Sequence, residues 1–359
     1  MFLKEAWYVA AWASELQARP VGRMITGEPV VLYRTAAGRV AALEDRCCHR
    51  HYPLSKGRID GEILQCGYHG FRFDTTGCCV AVPSQRAVPE SARVRSYPVV
   101  ERHALVWIWM GDPRSADPAR IADFSWLDSP AWKWKGTCYP VKAGYELIVE
   151  NLLDLTHITF VHPSTIGNYA LIDQADVRTT RAEDHVTVTR WMENSDPPPT
   201  YQRAGHFRGK VDRWQMIRFT KPALVRLSVG AMDAGLGART LMGDGFAAPR
   251  SARQTRGHGI GMFNFNMITP ETERSTHYFW AQGHDFHLED PGVTELVFSQ
   301  VEIAFHEDWA VFEEIQRNMD SRPGAPRVDV NGDNGGIQAI RMLRAAIDAE
   351  QAAARDRSA

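Results

Sequence analysis

No apolar run in this 359-residue chain comes near the roughly 18 residues that a membrane-spanning helix needs; stretches such as "ALVWIWM" stop at seven. The formal net charge is only −2, with both signs interspersed and no basic stripe. That excludes the electrostatic footprint of a nucleic-acid or anionic-membrane binder. A dinucleotide fingerprint is also missing. Neither "GIQAIR" after "NGDNG" nor the Gly235/Gly237 pair has G-x-G-x-x-G spacing, and both read as a helix start and a loop. No internal repeat stands out. Cysteine is scarce, with six residues at 47, 48, 66, 78, 79 and 138. They crowd too tightly at 47/48 and 78/79 for a disulfide framework, and in a reducing cytoplasm such a cluster reads as metal binding. The N-terminal run "AWYVAAWA" only imitates a secretion signal, because one lysine precedes it and Glu5 interrupts the approach. We read it as a first strand with Trp7 and Val9 facing the core, in a cytoplasmic protein.

What is present describes a globular chain. Apolar residues make up 44% and charged residues 23%, and the length predicts two domains at roughly 150 residues each. Residues 1–112 look all-β. Short strands such as "PVVLYR", "RVAALED" and "EILQCGYHGFRFD" alternate with Gly and Asp turns, as in a small barrel or sandwich. The Pro-, Asp- and Ser-rich "GDPRSADPARIADF" marks the boundary to a second domain over 113–359. There, strand-like segments such as "DRWQMIRFT" and "GMFNFNMIT" are interrupted by helical periods over about 146–162 and 294–317, and an amphipathic stretch closes the chain. The expected class is α+β. The tail "EQAAARDRSA" is expected to fray, and "SDPPPT" to form a stiff surface loop.

Two constellations carry chemistry. In the first, Cys47-x-His49 is followed by Cys66-x-x-His69, each at a turn between strands. Two cysteines and two histidines suit tetrahedral zinc. They equally suit a Rieske [2Fe–2S] centre, where the cysteines bind one iron and the histidines the other. Zinc-finger spacing pairs like ligands, whereas here each half offers one of each, so two irons fit the interleaving better.

The second constellation is "ENLLDLTHITFVHPS", with Asn151, Asp154, His157 and His162. On a continuous helix 151, 154 and 157 share a face, and Pro163 ends the helix so that His162 can turn back. A later helix has an apolar stripe at Val301, Ala304, Phe305, Phe312 and Ile315 that is interrupted by Asp308. A carboxylate on a buried face is costly unless compensated. An arginine or a helix N-terminus could compensate it; so could a metal held by His157 and His162. Two histidines and a carboxylate form the facial triad of non-haem Fe(II) oxygenases. Glu302 and Glu307 are the rival carboxylates, but both fall off the stripe.

The segments "CCHRHYPLSKG" and "CGYHGFRFDTTGCCV" resemble the two cluster loops of Rieske domains, with Cys47, His49, Cys66 and His69 as ligands. Cys48 stands where that family usually has proline, and His51 where glycine is common. Cys48, Cys78 and Cys79 read as small buried hydrophobes. Arg50 is either a solvated charge or a donor near the cluster sulfurs. Together with "NLLDLTHITFVHPSTIG", "DRWQMIRF" and "ITPETE", nearly the whole chain resembles Rieske non-haem iron oxygenases, in particular the vanillate O-demethylase oxygenase group. The resemblance implies a Rieske domain followed by a helix-grip catalytic domain, and a homotrimer of head-to-tail contacts. It implies that O2 and NAD(P)H are consumed, with electrons arriving from a separate reductase of flavin and ferredoxin type. It also casts Asp154 as a bridge between a cluster histidine of one subunit and an iron ligand of the next. The implied reaction is O-demethylation of a vanillate-like methoxylated aromatic acid with release of formaldehyde. Ring or methyl hydroxylation and N-demethylation remain open alternatives, as does a pure Rieske electron carrier. Candidate substrate contacts are Asn264 and Asn266, which share a face of "GMFNFNMIT", and Arg218, which could pair with a substrate carboxylate. His284 and His287 read as ordinary surface residues.

Overall fold

The computed structural model describes residues 1–243, 246 and 259–358. The chain divides into two compact units, one comprising Met1–Asp123, Thr269–Glu273 and the end of the C-terminal helix, the other Phe124–Ile268 and Arg274–Asp348.

The first unit is all-β. Its strands are β1 (Trp7–Trp12), β2 (Val21–Ile25), β3 (Glu28–Arg34), β4 (Val40–Glu44), β5 (Arg58–Asp60), β6 (Ile63–Gln65), β7 (Arg72–Phe73), β8 (Cys79–Ala81), β9 (Ser96–Tyr97), β10 (Val99–Arg102) and β11 (Leu105–Trp109). They form three sheets, ordered β1-β11-β10, β2-β3-β4-β9 and β5-β6-β7-β8. All six residues of β1 are buried, not only Trp7 and Val9. Tyr8 packs into one apolar cluster with Val30, Leu32 and Ile108, while Trp7 meets Trp109 edge-on at 5.6 Å. A second cluster gathers Val31, Tyr33, Leu43, Leu64 and Phe73, and Cys47 and Cys66 belong to it. Each such aliphatic or aromatic side chain contributes roughly 1.5–3 kcal/mol on burial, so the base of the cluster loops rests on a well-buried apolar core.

The second unit is built on one antiparallel sheet of seven strands: β12 (Lys133–Val141), β13 (Asp176–Arg181), β14 (His185–Ser195), β15 (Val211–Thr220), β16 (Leu224–Asp233), β17 (Ile260–Thr272) and β18 (Ser275–His284), in the order β12-β18-β17-β16-β15-β14-β13. The long helix Pro291–Ser321 packs on β12 and β18. It opens with Pro291 after Asp290, whose carboxylate accepts from Gly292 N at 2.8 Å, a first turn favoured at both positions.

Four local expectations are corrected. The segment over 146–162 is not one helix. Helix α1 (Tyr145–Leu153) stops at Asp154, a 3₁₀ turn covers Leu155–His157, and helix α2 (Ile158–Val161) follows. Asp154 takes an extended conformation because its carboxylate caps the next turn, accepting from Thr156 N at 3.0 Å and Thr156 Oγ1 at 2.9 Å. The buried stripe of the long helix ends on Gln316 instead of Ile315, which is 40% exposed; Gln316 Oε1 accepts from Gly144 N at the start of α1. The tail stays helical through Ser358 within the C-terminal helix Asn334–Ser358. Glu350 ties that helix down by accepting from the backbone of Lys4 and Glu5. Finally, His284 is buried and bonded to Phe286 O and Thr294 Oγ1, each at 2.8 Å, while His287 is exposed as expected. Among the described residues no helix is long and apolar enough to cross a membrane.

Candidate metal centres

The two loops of the first unit are near copies of each other. Cys47 N donates to Tyr52 O at 3.0 Å, and Cys66 N to Phe71 O at 2.8 Å. His51 N returns to Cys47 O at 2.9 Å, and Gly70 N to Cys66 O at 3.2 Å. Both fifth residues are left-handed, with φ 57° at His51 and 74° at Gly70. Glycine adopts that conformation without penalty and histidine does not. Each loop thus curls around its own sulfur. Cys47 and Cys66 are 2% exposed, whereas His49 and His69 lie at the surface with ring centroids 4.5 Å apart. Phe71 stacks on His49 at 4.8 Å.

The chemistry of this donor set fits a cluster that is anchored inside and presented outside. Burial pushes the Cys47 thiol up to about 12, and the neighbouring Cys66 thiol opposes its ionisation further. Two adjacent buried thiolates require a cation between them. Cys48 and Cys78 are half-buried and Cys79 is buried. Cys78 Sγ accepts from Arg93 at 3.3 Å.

In the second unit His157, His162 and Asp308 converge, with one ligand atom from each lying within 4.8 Å of the others. His162 Nε2 is 3.2 Å and His157 Nε2 3.5 Å from Asp308 Oδ1. The opposite ring nitrogens are committed elsewhere. His157 Nδ1 donates to the Asp154 carbonyl at 2.7 Å, and His162 Nδ1 donates to Glu307 Oε2 at 2.6 Å. Those bonds fix the tautomers and aim both Nε2 lone pairs at Asp308. Two imidazole nitrogens and a carboxylate oxygen converging this closely suit a cation, and the trio fits Fe(II) with open positions. Burial lowers the pKa of His157 despite the carboxylate of Asp308, which keeps it neutral as a ligand must be. For His162 burial also pulls downward, but Asp308 and Glu307 outweigh it and hold the pKa above the ordinary value.

Asn151 stands beside the trio, its Nδ2 3.4 Å from Asp308 Oδ1 and 3.5 Å from His157 Nε2, with its Oδ1 buried and unsatisfied. The carboxylate of Asp154 does not touch His157. It engages Thr156 and the buried Arg190 at 3.0 Å, and only its carbonyl orients the ring. Glu307, which falls off the apolar stripe, is a participant that the stripe does not mark. Lying one residue from Asp308, it flanks the buried face and reaches His162 from the side.

A small cavity of about 60 Å3 lies between the sheet and the helical segments. Leu155 and Ile158, which bracket His157, and Val301 and Phe305, on the turns before Asp308, supply its apolar wall. Arg213, Gln215, Asn264 and Gln282 supply its polar floor. Asn264 therefore faces the cavity, donating to Gln282 Oε1 at 3.0 Å. Asn266 sits behind it, fully buried, donating to Asn264 Oδ1 and accepting from the Tyr278 hydroxyl at 2.7 Å. Arg218 is not brought to the cavity. It donates to Thr187 Oγ1 at 3.0 Å and lies over the Phe246 ring at 4.4 Å. Arg213, five residues earlier on β15, takes the place foreseen for it, because an odd spacing along a strand reverses the face.

A Cys2His2 iron–sulfur unit combined with a two-histidine, one-carboxylate site defines the oxygenase component of a Rieske non-haem iron enzyme. Residues 6–98 match the Rieske [2Fe-2S] domain family, and residues 141–349 match the vanillate O-demethylase oxygenase C-terminal domain family. The chain is 40% identical, over 98% of both sequences, to the iron–sulfur subunit of the toluene-4-sulfonate monooxygenase system of Comamonas testosteroni. It is 39% identical to the vanillate O-demethylase oxygenase subunit of a Pseudomonas species, over 99% of this chain and 97% of that one. Dicamba monooxygenase shares its fold at 33% identity, covering 98% of this chain and 99% of the other. The TM-score is 0.88 for the structure with 3,6-dichlorosalicylic acid and 0.78 for that with non-heme iron and dicamba. The chain belongs to the vanillate O-demethylase oxygenase family of Rieske monooxygenases, with a [2Fe-2S] cluster and a mononuclear iron as its cofactors.

Proposed function

We propose that this chain is the terminal oxygenase of a multicomponent system that removes the O-methyl group of a methoxylated, vanillate-like aromatic acid. The observation that carries the reading is the His157/His162/Asp308 trio beside a cavity whose wall is largely apolar and whose floor carries a few polar groups. In this reading Cys47, His49, Cys66 and His69 hold the cluster, and the exposed imidazoles of His49 and His69 are its route for electrons. Iron bound by the trio supplies the activation of O2. The chain's own residues orient that metal: the Asp154 carbonyl holds His157, Glu307 holds His162, and Asn151 donates to Asp308. The wall of Leu155, Ile158, Val301 and Phe305 excludes water and positions the ring.

The overall balance is one methoxyarene, one O2, two electrons and two protons. They yield a hemiacetal and water, and the hemiacetal then separates into formaldehyde and a phenol. NADH supplies the electrons through a separate reductase of flavin and ferredoxin type. We place the working form in the cytoplasm as a homotrimer, in which the carboxylate of Asp154 links the cluster of one subunit to the iron of its neighbour. A second reading, hydroxylation of a ring or its methyl group, draws support from the relative named for toluene-4-sulfonate, a methyl arene without a methoxy group.

The deciding assay combines iron-replete protein, a vanillate-type reductase, NADH and O2 with methoxy-, methyl- and unsubstituted benzoates. Formaldehyde released in step with NADH is the expected result for methoxybenzoates. Substrate-dependent NADH loss with a hydroxylated product and no formaldehyde would establish the second reading instead.

A further inference from the structure

Among its described residues the second unit buries two arginines almost completely, and the protein treats them differently. Arg190 is 2% exposed and is paired with the Asp154 carboxylate at 3.0 Å. Arg213 is 1% exposed and has no carboxylate partner among the described residues. Its Nη2 donates to the Ile166 carbonyl at 3.1 Å and its Nη1 to Asn168 Oδ1 at 3.4 Å, while the guanidinium lies over the Tyr201 ring at 4.8 Å. Its Nε–H finds no acceptor. Neighbouring Asp212 offers none, because its oxygens accept from Asn194 N and Gly235 N. A guanidinium stays charged at any working pH, and burying it without a counter-charge is strongly unfavourable. This unpaired cation lies in the floor of the cavity, beside Gln215, whose Oε1 is likewise without a partner. The helical segments that supply Leu155, Ile158, Val301 and Phe305 to the wall of the same cavity also carry His157 and Asp308.

We propose that Arg213 is the substrate anchor: its guanidinium receives a ring-borne oxyanion, carboxylate or sulfonate, from the substrate, and this makes the enzyme selective for aromatic acids over their neutral analogues. A planar fork of N–H donors suits two or three coplanar oxygens. The ligand thereby supplies the negative charge that the protein omits. This assignment rests on the cavity being the substrate site, as proposed above. It replaces Arg218 in the role of carboxylate partner.

The test is titration calorimetry under argon on the full-length, cluster- and iron-loaded protein. The probes are 4-methoxybenzoate against 4-methoxybenzamide, and 4-toluenesulfonate against 4-toluenesulfonamide. The wild type is expected to bind the anion at least tenfold more tightly in one of the pairs, and that pair identifies which oxyanion fits. Arg213→Gln is expected to bring the ratio close to one. Arg213→Lys keeps the charge but forfeits the fork to Ile166 and Asn168; it is expected to melt lower yet retain an anion preference. A wild type that binds acid and neutral analogue alike overturns the proposal. So does an Arg213→Gln protein that keeps the wild-type ratio, or an Arg213→Lys protein that melts lower and shows no preference. Formaldehyde does not enter these readouts. Anion selectivity without demethylation would remove the proposed reaction and leave Arg213 its role, and the converse result would do the reverse.

Discussion

Replacing Glu307 by glutamine removes one negative charge and keeps the shape of the side chain, so it isolates what the carboxylate does for His162. The bond it loses is short, 2.6 Å from Nδ1 to Oε2, and joins a 1%-exposed imidazole to a side chain that is 35% exposed. Charge-assisted hydrogen bonds contribute about 1.5–3 kcal/mol. Water reaching the exposed glutamate recovers part of that, so the low end applies, about 1.5 kcal/mol, or roughly tenfold in an equilibrium constant. Glu307→Gln should therefore weaken iron binding about tenfold, at the lower edge of the effect expected when a ligand's hydrogen-bond partner is removed. Dialysis against graded concentrations of chelator, followed by iron analysis, reads the shift directly. The visible absorption of the [2Fe-2S] cluster is the internal control and should not change. Identical iron retention in wild type and Glu307→Gln would refute the claim that this carboxylate supports the ligand.

Three further outcomes follow from the same geometry. Asp308→Ala should empty the mononuclear site while leaving the cluster's spectrum and iron content intact; an unchanged iron count per chain would exclude Asp308 as a ligand. Asp154→Asn should keep both metals but slow reoxidation of a pre-reduced cluster by O2 and substrate; it should also lower stability by about 2 kcal/mol, because buried Arg190 loses a charge-assisted hydrogen bond to a partly exposed carboxylate. Full-speed reoxidation would remove the bridging role. His51→Gly should raise the melting temperature modestly, since φ 57° costs a non-glycine residue about 1–2 kcal/mol and glycine's extra chain entropy returns about half of that; a lower melting temperature would show that the His51 side chain contributes something the backbone argument omits.

Much of the site could be read from spacing alone. The interleaved C-x-H and C-x-x-H pairs, the turn-back at His162 before Pro163, and the carboxylate interrupting an apolar helical stripe all reflect local rules that the fold keeps. Other parts depend on tertiary context. The helix break at Asp154 is a contest between helix continuation and a capping carboxylate, and Thr156, two residues on, decides it by supplying two donors. The role of Glu307 is not legible in a helical stripe, which marks what faces the core, whereas a hydrogen-bond partner can reach a buried ring from the flank. The cavity residues are the least legible. Residues 260–270 of β17 are buried on both faces, so the alternation of Asn264 and Asn266 with Phe263 and Phe265 does not mark an exposed side. Arg213 and Arg218 look alike in "DRWQMIRF", and only the path of the strand turns one into the cavity and leaves the other outside it.

The two iron-site histidines are steadied by different kinds of oxygen, a main-chain carbonyl for His157 and a side-chain carboxylate for His162. No substitution can delete a carbonyl, so His157 is held by the course of the chain at Asp154, a turn that the Asp154 carboxylate and Thr156 fix. One imidazole is therefore a fixed reference for the metal, and the other is its adjustable counterpart. Changes at residue 307 would alter the support of the His162 ring and leave the hydrogen bond that orients His157 untouched.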